Sequence, residues 1–120
     1  MLIRIDATSP VPLGDQVAAS VRRAIAEGQV AAGEKLPPAR EVAESLGINL
    51  HTVLRGYQRL RDEGLVDLRR GRGAVLTDAA TRGQAAVSER VAELVALARS
   101  MGLGEQDVLG LVSAAFQPGQ

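Results

Sequence analysis

Three groups of residues have the types and spacing to do chemistry on a polyanion. Asn49, His51, Thr52 and Arg55 bring an amide, an imidazole, a hydroxyl and a guanidinium into one short stretch, with Arg59 one turn on. Further along, Arg69-Arg70-Gly71-Arg72-Gly73 sets arginines around glycines. Arg40 stands alone upstream. Polar groups on the first turns of a helix can meet base edges, because a DNA major groove admits one α-helix. Glycines permit a tight turn and close backbone approach, so arginines beside them can enter a minor groove or grip phosphates. On this chemistry Arg55 either pairs bidentately with guanine or holds a phosphate, and Arg40 anchors a phosphate or an adjacent base.

The elements that would position these groups follow from periodicity. Leu13, Val17, Val21 and Ile25 recur every fourth position and predict an amphipathic helix from Leu13 to about Glu27, with Gly28 as its stop. Val30 to Pro38 reads as a loop punctuated by Gly33 and a proline pair. A second helix is expected over Ala39 to Leu46, burying Val42, Ala43 and Leu46 and ending at Gly47. Asn49 suits the cap of a third, from Leu50 to about Glu63, by accepting from a free backbone N–H. There Val53, Tyr57 and Leu60 share one face, and His51, Thr52, Arg55, Gln58 and Arg59 fall on the other. Leu65 to Arg69 and Ala74 to Thr77 alternate as the strands of a hairpin whose turn is the arginine-glycine run. The fold class expected is mainly α with a small β-hairpin: a winged helix-turn-helix over residues 1–78 and a short helical dimerisation part over 79–120.

Composition sets the outer bounds. At 120 residues with 46% hydrophobic content, a packed domain is expected rather than disorder. With no cysteine there is no disulfide framework, thiolate metal site or cysteine nucleophile. No window approaches the ~20 apolar residues of a membrane span, and a cytoplasmic protein is expected. Net charge is zero, which argues mildly against a nucleic-acid partner. Its distribution argues the other way. Between His51 and Gly73, six arginines face three acids, and DNA binding depends on a local basic face rather than on total charge.

After Thr77 the composition shifts. Asp78 to Gly83 reads as a linker or helix start. Val87, Val91, Leu94, Val95, Ala98 and Met101 then trace an apolar stripe, Gly102-Leu103-Gly104 breaks it, and Val108, Leu111, Val112, Ala115 and Phe116 trace a second. Two helices of this length cannot bury both stripes alone, so pairing with a second chain is expected.

The competing readings are plainer. His51, the sole histidine, has no partner cluster, so a polar position facing DNA or solvent outranks a metal or catalytic role. Tyr57 shares a face with Val53 and Leu60 and is expected in the core rather than stacking on a base. Arginines on an arbitrary helix usually form a solvated face, and it is their coincidence with a basic turn that favours DNA. No carboxylate pair, Ser/His/Asp set or phosphate-binding loop stands out, so neither an enzyme nor a cofactor is expected.

Taken together, Ile3 to Asp6, Pro12 to Val17, Gly33 to Pro37, Arg40, Ala43, Leu46-Gly47, Thr52-Val53, Arg55, Tyr57, Leu60, Glu63 to Leu65 and Gly71 to Gly73 resemble the winged-helix domain of the GntR family of bacterial transcription regulators. The spacing is most similar to its short YtrA-type subfamily, and the likeness covers roughly residues 3 to 77. It implies DNA contact at Arg40, Thr52 and the wing glycine, and a short helical C-terminal dimerisation part. The chain departs from the family at Leu50, where YtrA-type members often carry proline. Some other branches carry arginine at the positions of Leu50 and Leu54, and their base-contact scheme does not transfer.

The expectation is a sequence-specific DNA-binding transcriptional regulator, a homodimeric repressor on an inverted-repeat operator. Its partners would be double-stranded DNA and a second copy, with room left for a small-molecule effector between the C-terminal helices that no residue identifies. The alternative is a winged-helix protein-interaction module without sequence-specific DNA binding.

Overall fold

A computed structural model of the chain describes residues 1–117. Its elements in order are α1 (Leu13–Ala26), α2 (Ala39–Leu46), α3 (Leu50–Asp62), β1 (Val66–Arg69), β2 (Gly73–Leu76), α4 (Asp78–Ser100) and α5 (Glu105–Ala115). The chain divides into two compact units, Met1–Ala85 and a second that begins at Ala86. Among the described residues no helix is long and apolar enough to cross a membrane.

In the first unit the core forms where the apolar stripes of the helices meet. Val17 and Val21 of α1, and Val53 and Leu60 of α3, are fully enclosed. Val42 and Ala43 of α2, Val66 of β1 and Leu76 of β2 close the same cluster. Burying each such valine or leucine contributes about 1.5–3 kcal/mol, and with two aromatics in the whole sequence these aliphatics supply most of the core's stability. Leu46 is only half-buried, at the margin of this cluster.

The chain before α1 is irregular but tied down. The Arg4 N–H donates to Ser20 Oγ (3.0 Å), and Ile3 is buried. The Gln16 side chain accepts from the Asp6 N–H and donates to the carbonyls of Asp6 (3.0 Å) and Val11 (2.8 Å). One amide thus clasps the residues leading into α1.

The hairpin is antiparallel, in the register Val66↔Leu76, Asp67↔Val75, Leu68↔Ala74 and Arg69↔Gly73. Its strands differ from simple alternation. In β1 only Val66 is buried, while Ala74, Val75 and Leu76 of β2 are all buried. The reason lies in the segment expected as a plain loop. The Leu36 N–H donates to the Ala74 carbonyl (2.8 Å), the Leu76 N–H to Glu34 (2.9 Å) and the Gly33 N–H to Leu76 (2.9 Å), with an isolated bridge between Lys35 and Val75. Flanked on both edges, β2 is an inner strand with its backbone paired to β1 on one side and to residues 33–36 on the other.

Thr77 ends the hairpin and starts the next helix: its hydroxyl accepts from the Ala80 N–H (3.2 Å), the geometry of an N-cap. Residues 78–83 are therefore a helix start, not a linker, and α4 runs unbroken from Asp78 to Ser100.

In the second unit the apolar residues stay largely uncovered. Val87, Val91, Leu94, Val95, Met101, Leu111, Val112 and Phe116 are exposed, Phe116 at 81%, and Val108 is half-buried. Leu97 and Leu109, outside the expected stripes, are exposed too. Ala98 is the exception. At 4% exposure it is already covered within its own chain and has little surface left for a second copy.

Candidate nucleic-acid interface

α3 begins where its sequence says it should. Asn49 Oδ1 accepts from the His51 N–H at 2.7 Å, which fixes the first turn and commits that oxygen to the helix. His51 is exposed and Thr52 half-buried on this turn, and Arg55 is exposed on the next. The opposite face, Val53, Gly56, Tyr57 and Leu60, is buried.

What sets the angle of α3 is a crossing with α1 at two glycines. A Cβ on Gly56 would lie 2.8 Å from the Gly14 carbonyl oxygen and 3.1 Å from Val17, and one on Gly14 would lie 3.2 Å from the Thr52 carbonyl. Backbones pack this closely only where side chains are absent. The sequence signal for Gly56 was its place on the stripe of Val53, Tyr57 and Leu60, three residues after one and four before another. On the far side, the Tyr57 hydroxyl donates to the Pro37 carbonyl at 2.5 Å, joining α3 to the start of α2. Burial pushes the Tyr57 phenol pKa well above its ordinary value, so the hydroxyl stays protonated and able to donate.

The arginines sort into two classes. Arg59 pairs with Asp15 at 3.1 Å and with Glu63 at 3.6 Å, and Arg22 donates to Glu63 through Nε at 2.8 Å. This network ties α1 to the end of α3. The hydrogen bond from Arg22 holds the Glu63 carboxyl below the usual glutamate range and raises the Arg22 guanidinium in turn. Arg69 meets Asp67 at 3.4 Å, a weaker exposed pair. Arg40, Arg55, Arg70 and Arg72 have no ion pair among the described residues. They sit on α2, on α3 and in the wing, each exposed and free for an external anion. Arg40 is the second residue of α2, where a cation opposes the helix dipole; its placement favours a ligand over local stability.

The wing is built by its glycines. The Arg72 N–H donates to the Arg69 carbonyl at 3.0 Å, closing a four-residue turn, and Gly71 holds φ at +77° in its third position. A type II turn requires that angle, and Gly adopts it without strain. Gly73 follows at +74°, leading the chain into β2. Between this turn and α3 lies a groove of about 970 Å³. A shallower depression of about 850 Å³ runs beside Pro12, Gly14, Thr52, Arg55 and Gln58 at the start of α1.

Thus Asn49, His51, Thr52 and Arg55 lie together on the first turns of α3, Arg70 to Gly73 form the wing, and Arg40 stands on α2. Arg59 and Arg69 lie in the same region but are held by acids. Asp15, which holds Arg59 from another helix, lacks any marking in the linear pattern because its partner is distant in sequence, whereas Glu63 stands four residues after Arg59 at helical spacing. Among the described residues no three His, Cys, Asp or Glu side chains gather as a metal site requires.

The arrangement has counterparts among known proteins. Residues 13–76 match the profile of the bacterial regulatory proteins of the gntR family. The HTH-type transcriptional regulator Rv1152 of Mycobacterium tuberculosis is 31% identical over 107 residues, which span 89% of this chain and 88% of the relative. The HTH-type transcriptional repressor YtrA of Bacillus subtilis is 33% identical over 64% of this chain, which spans 59% of that relative's length. Among solved structures, YtrA from Sulfolobus acidocaldarius, described as a GntR-family transcription factor, superposes with a TM-score of 0.61 at 36% identity, covering 82% of this chain and 99% of that one. With a winged helix-turn-helix followed by two helices, the chain belongs to the GntR family of transcriptional regulators, on its short YtrA-type branch.

Proposed function

We propose that the chain is a homodimeric repressor that binds an inverted-repeat operator. The observation that carries this reading is that Arg40, Arg55, Arg70 and Arg72, four of the arginines without acidic partners, are distributed over α2, the capped α3 and the wing. In this arrangement α3 enters a major groove with His51, Thr52 and Arg55 toward base edges, while Arg70 and Arg72 engage the adjacent minor groove or phosphates. The exposed apolar residues of α4 and α5 support the dimer, since so many uncovered aliphatics mark an interaction surface. Two copies would place their reading helices in successive major grooves, about 34 Å apart. The repressor sense follows that of the Bacillus subtilis relative YtrA, a transcriptional repressor.

Fluorescence anisotropy with the DNA upstream of the chain's own reading frame, at two salt concentrations, tests this. A sequence-selective complex that weakens as salt rises is expected. Arg55→Ala should cost about 1–3 kcal/mol at the selected site if it reads a base, and should cost equally on random DNA if it holds a phosphate. Arg59→Ala should cost less, because its guanidinium is engaged by Asp15 and Glu63. Absence of any salt-sensitive, selective complex would refute the reading, as would a monomer in sedimentation at binding concentrations.

A further inference from the structure

Leu54 lies on α3 three residues after His51 and four before Gln58, so it is a neighbour of both on the solvent side of the helix. It is 37% exposed, on the flank that faces the groove between α3 and the wing. Leu68 of β1, 39% exposed, lines the same groove, as do Pro37 and Pro38. Arg70 and Arg72 stand along it without acidic partners. Glu34 and Lys35 line the groove as well, with opposite charges, and the rest of the lining is apolar apart from the cationic wing. A single exposed leucine needs no explanation. Two exposed leucines in one groove, one of them in a row of base-reading side chains and with free guanidiniums beside them, call for an occupant that is anionic outside and apolar at one point.

We infer that Leu54 is a specificity-determining residue that packs on the 5-methyl group of a thymine in each half-site, with the strand bearing that thymine running through the groove between α3 and the wing. Of the four bases only thymine shows an alkyl group in the major groove, so an aliphatic side chain there discriminates thymine from cytosine and from both purines. The strand's phosphates meet Arg70 and Arg72, which explains why apolar and cationic residues share one groove. Leu68 widens the apolar wall opposite Leu54. The inference rests on the DNA-binding reading above and adds to it the base that the helix selects through a group incapable of hydrogen bonding.

The test begins with selection by the full-length chain from a duplex library with a randomised core, followed by affinity measurements on the selected duplex. Wild-type protein should enrich a site with a fixed thymine in each half. Replacing that thymine by deoxyuridine, which removes only the methyl, should weaken binding about fourfold per half-site, the equivalent of ~0.8 kcal/mol per buried methyl-sized group. Leu54→Ala should bind thymine and deoxyuridine duplexes equally and enrich no fixed thymine at that position, while the remaining positions of the site persist. If wild-type protein enriches a site but thymine and deoxyuridine duplexes bind alike, or if Leu54→Ala retains the preference, the inference is overturned and the groove serves some other occupant. If wild-type protein enriches no site at all, the DNA-binding reading itself fails, and this inference with it.

Discussion

Replacing Gly56 by alanine should destabilise the first unit, against the usual trend for glycine in a helix. In an open helical position Gly→Ala stabilises by about 0.8–1 kcal/mol, because alanine has less backbone entropy to lose. At Gly56 the added Cβ would sit 2.8 Å from the Gly14 carbonyl oxygen and 3.1 Å from both Cβ and Cγ1 of Val17. None of these atoms is the far end of a flexible chain. The oxygen belongs to the first turn of α1, and Val17 is β-branched and fully enclosed. Relief therefore requires α1 and α3 to separate, an overpacking cost of about 1–3 kcal/mol. Since the closest atom is backbone, the upper part of that range applies, and after the propensity gain a net loss of about 1–2 kcal/mol is expected. Gly83→Ala provides the control. That glycine lies within α4 with nothing inside 4 Å of its Cβ position, so the full propensity gain should appear. Urea denaturation midpoints of the two variants should move in opposite directions at unchanged slope. If Gly56→Ala were stabilised as much as Gly83→Ala, α1 and α3 would not cross at the distance described. Some other contact would then set the angle of α3.

Two further perturbations read the supports of α3. Tyr57 is the only tyrosine, and its buried phenol should make the chain's stability fall at high pH. Its folded pKa is raised, so its contribution is intact below the ordinary tyrosine value of about 10 and is lost as pH rises toward the folded value. Wild-type midpoints should fall above that pH, phenolate absorbance should appear only with unfolding, and Tyr57→Phe should abolish the limb at a cost of about 0.5–1.5 kcal/mol at neutral pH. Phenolate formation in the still-folded protein would count against the buried hydrogen bond to Pro37. Asn49→Ala should cost about 1 kcal/mol through the lost cap, and Asn49→Ser should restore most of it. If serine restored stability but not DNA affinity, the amide nitrogen of Asn49 would be marked as a direct contact.

How much of this was legible in the sequence depended on how local the cause was. The bounds of α2, the Asn49 cap and the arginine-glycine turn follow from neighbours within a few residues, and all are found where the pattern placed them. The pairing of residues 33–36 along β2 was not legible. Gly33 and the Pro37-Pro38 pair punctuate that stretch as a loop, and its partners Ala74 and Leu76 lie some forty positions away. Gly56 could be placed on the buried stripe of α3 but its partner could not be named. A lone helical glycine reads as a local weakness, and only the approach of α1 gives it a purpose. Arg59 illustrates the same limit at the site. Periodicity puts it on the polar face beside Arg55, but Asp15, on another helix, decides that one is engaged and the other free.

That division also bears on the zero net charge, which weighed against a nucleic-acid partner. Fourteen acids balance fourteen basic residues, but the balance is not uniform. Acidic side chains meet Arg22, Arg59, Arg61, Arg69 and Arg90, where they anchor elements or screen surface charge. Among the described residues Arg4, Arg23, Arg40, Arg55, Arg70, Arg72, Arg82 and Arg99 are left out of this neutralisation, and Arg40, Arg55, Arg70 and Arg72 of these lie on the helix-turn-helix and its wing. Counterion release depends on the phosphates met, each contributing about 0.9 to the slope of log affinity against log salt, and not on the sum over the protein. A chain of this kind gains little long-range attraction to DNA from its total charge. On the proposed reading its affinity comes from a few cations held at fixed positions, and the crossing of α1 and α3, the Asn49 cap and the wing turn are then as necessary to binding as the arginines themselves.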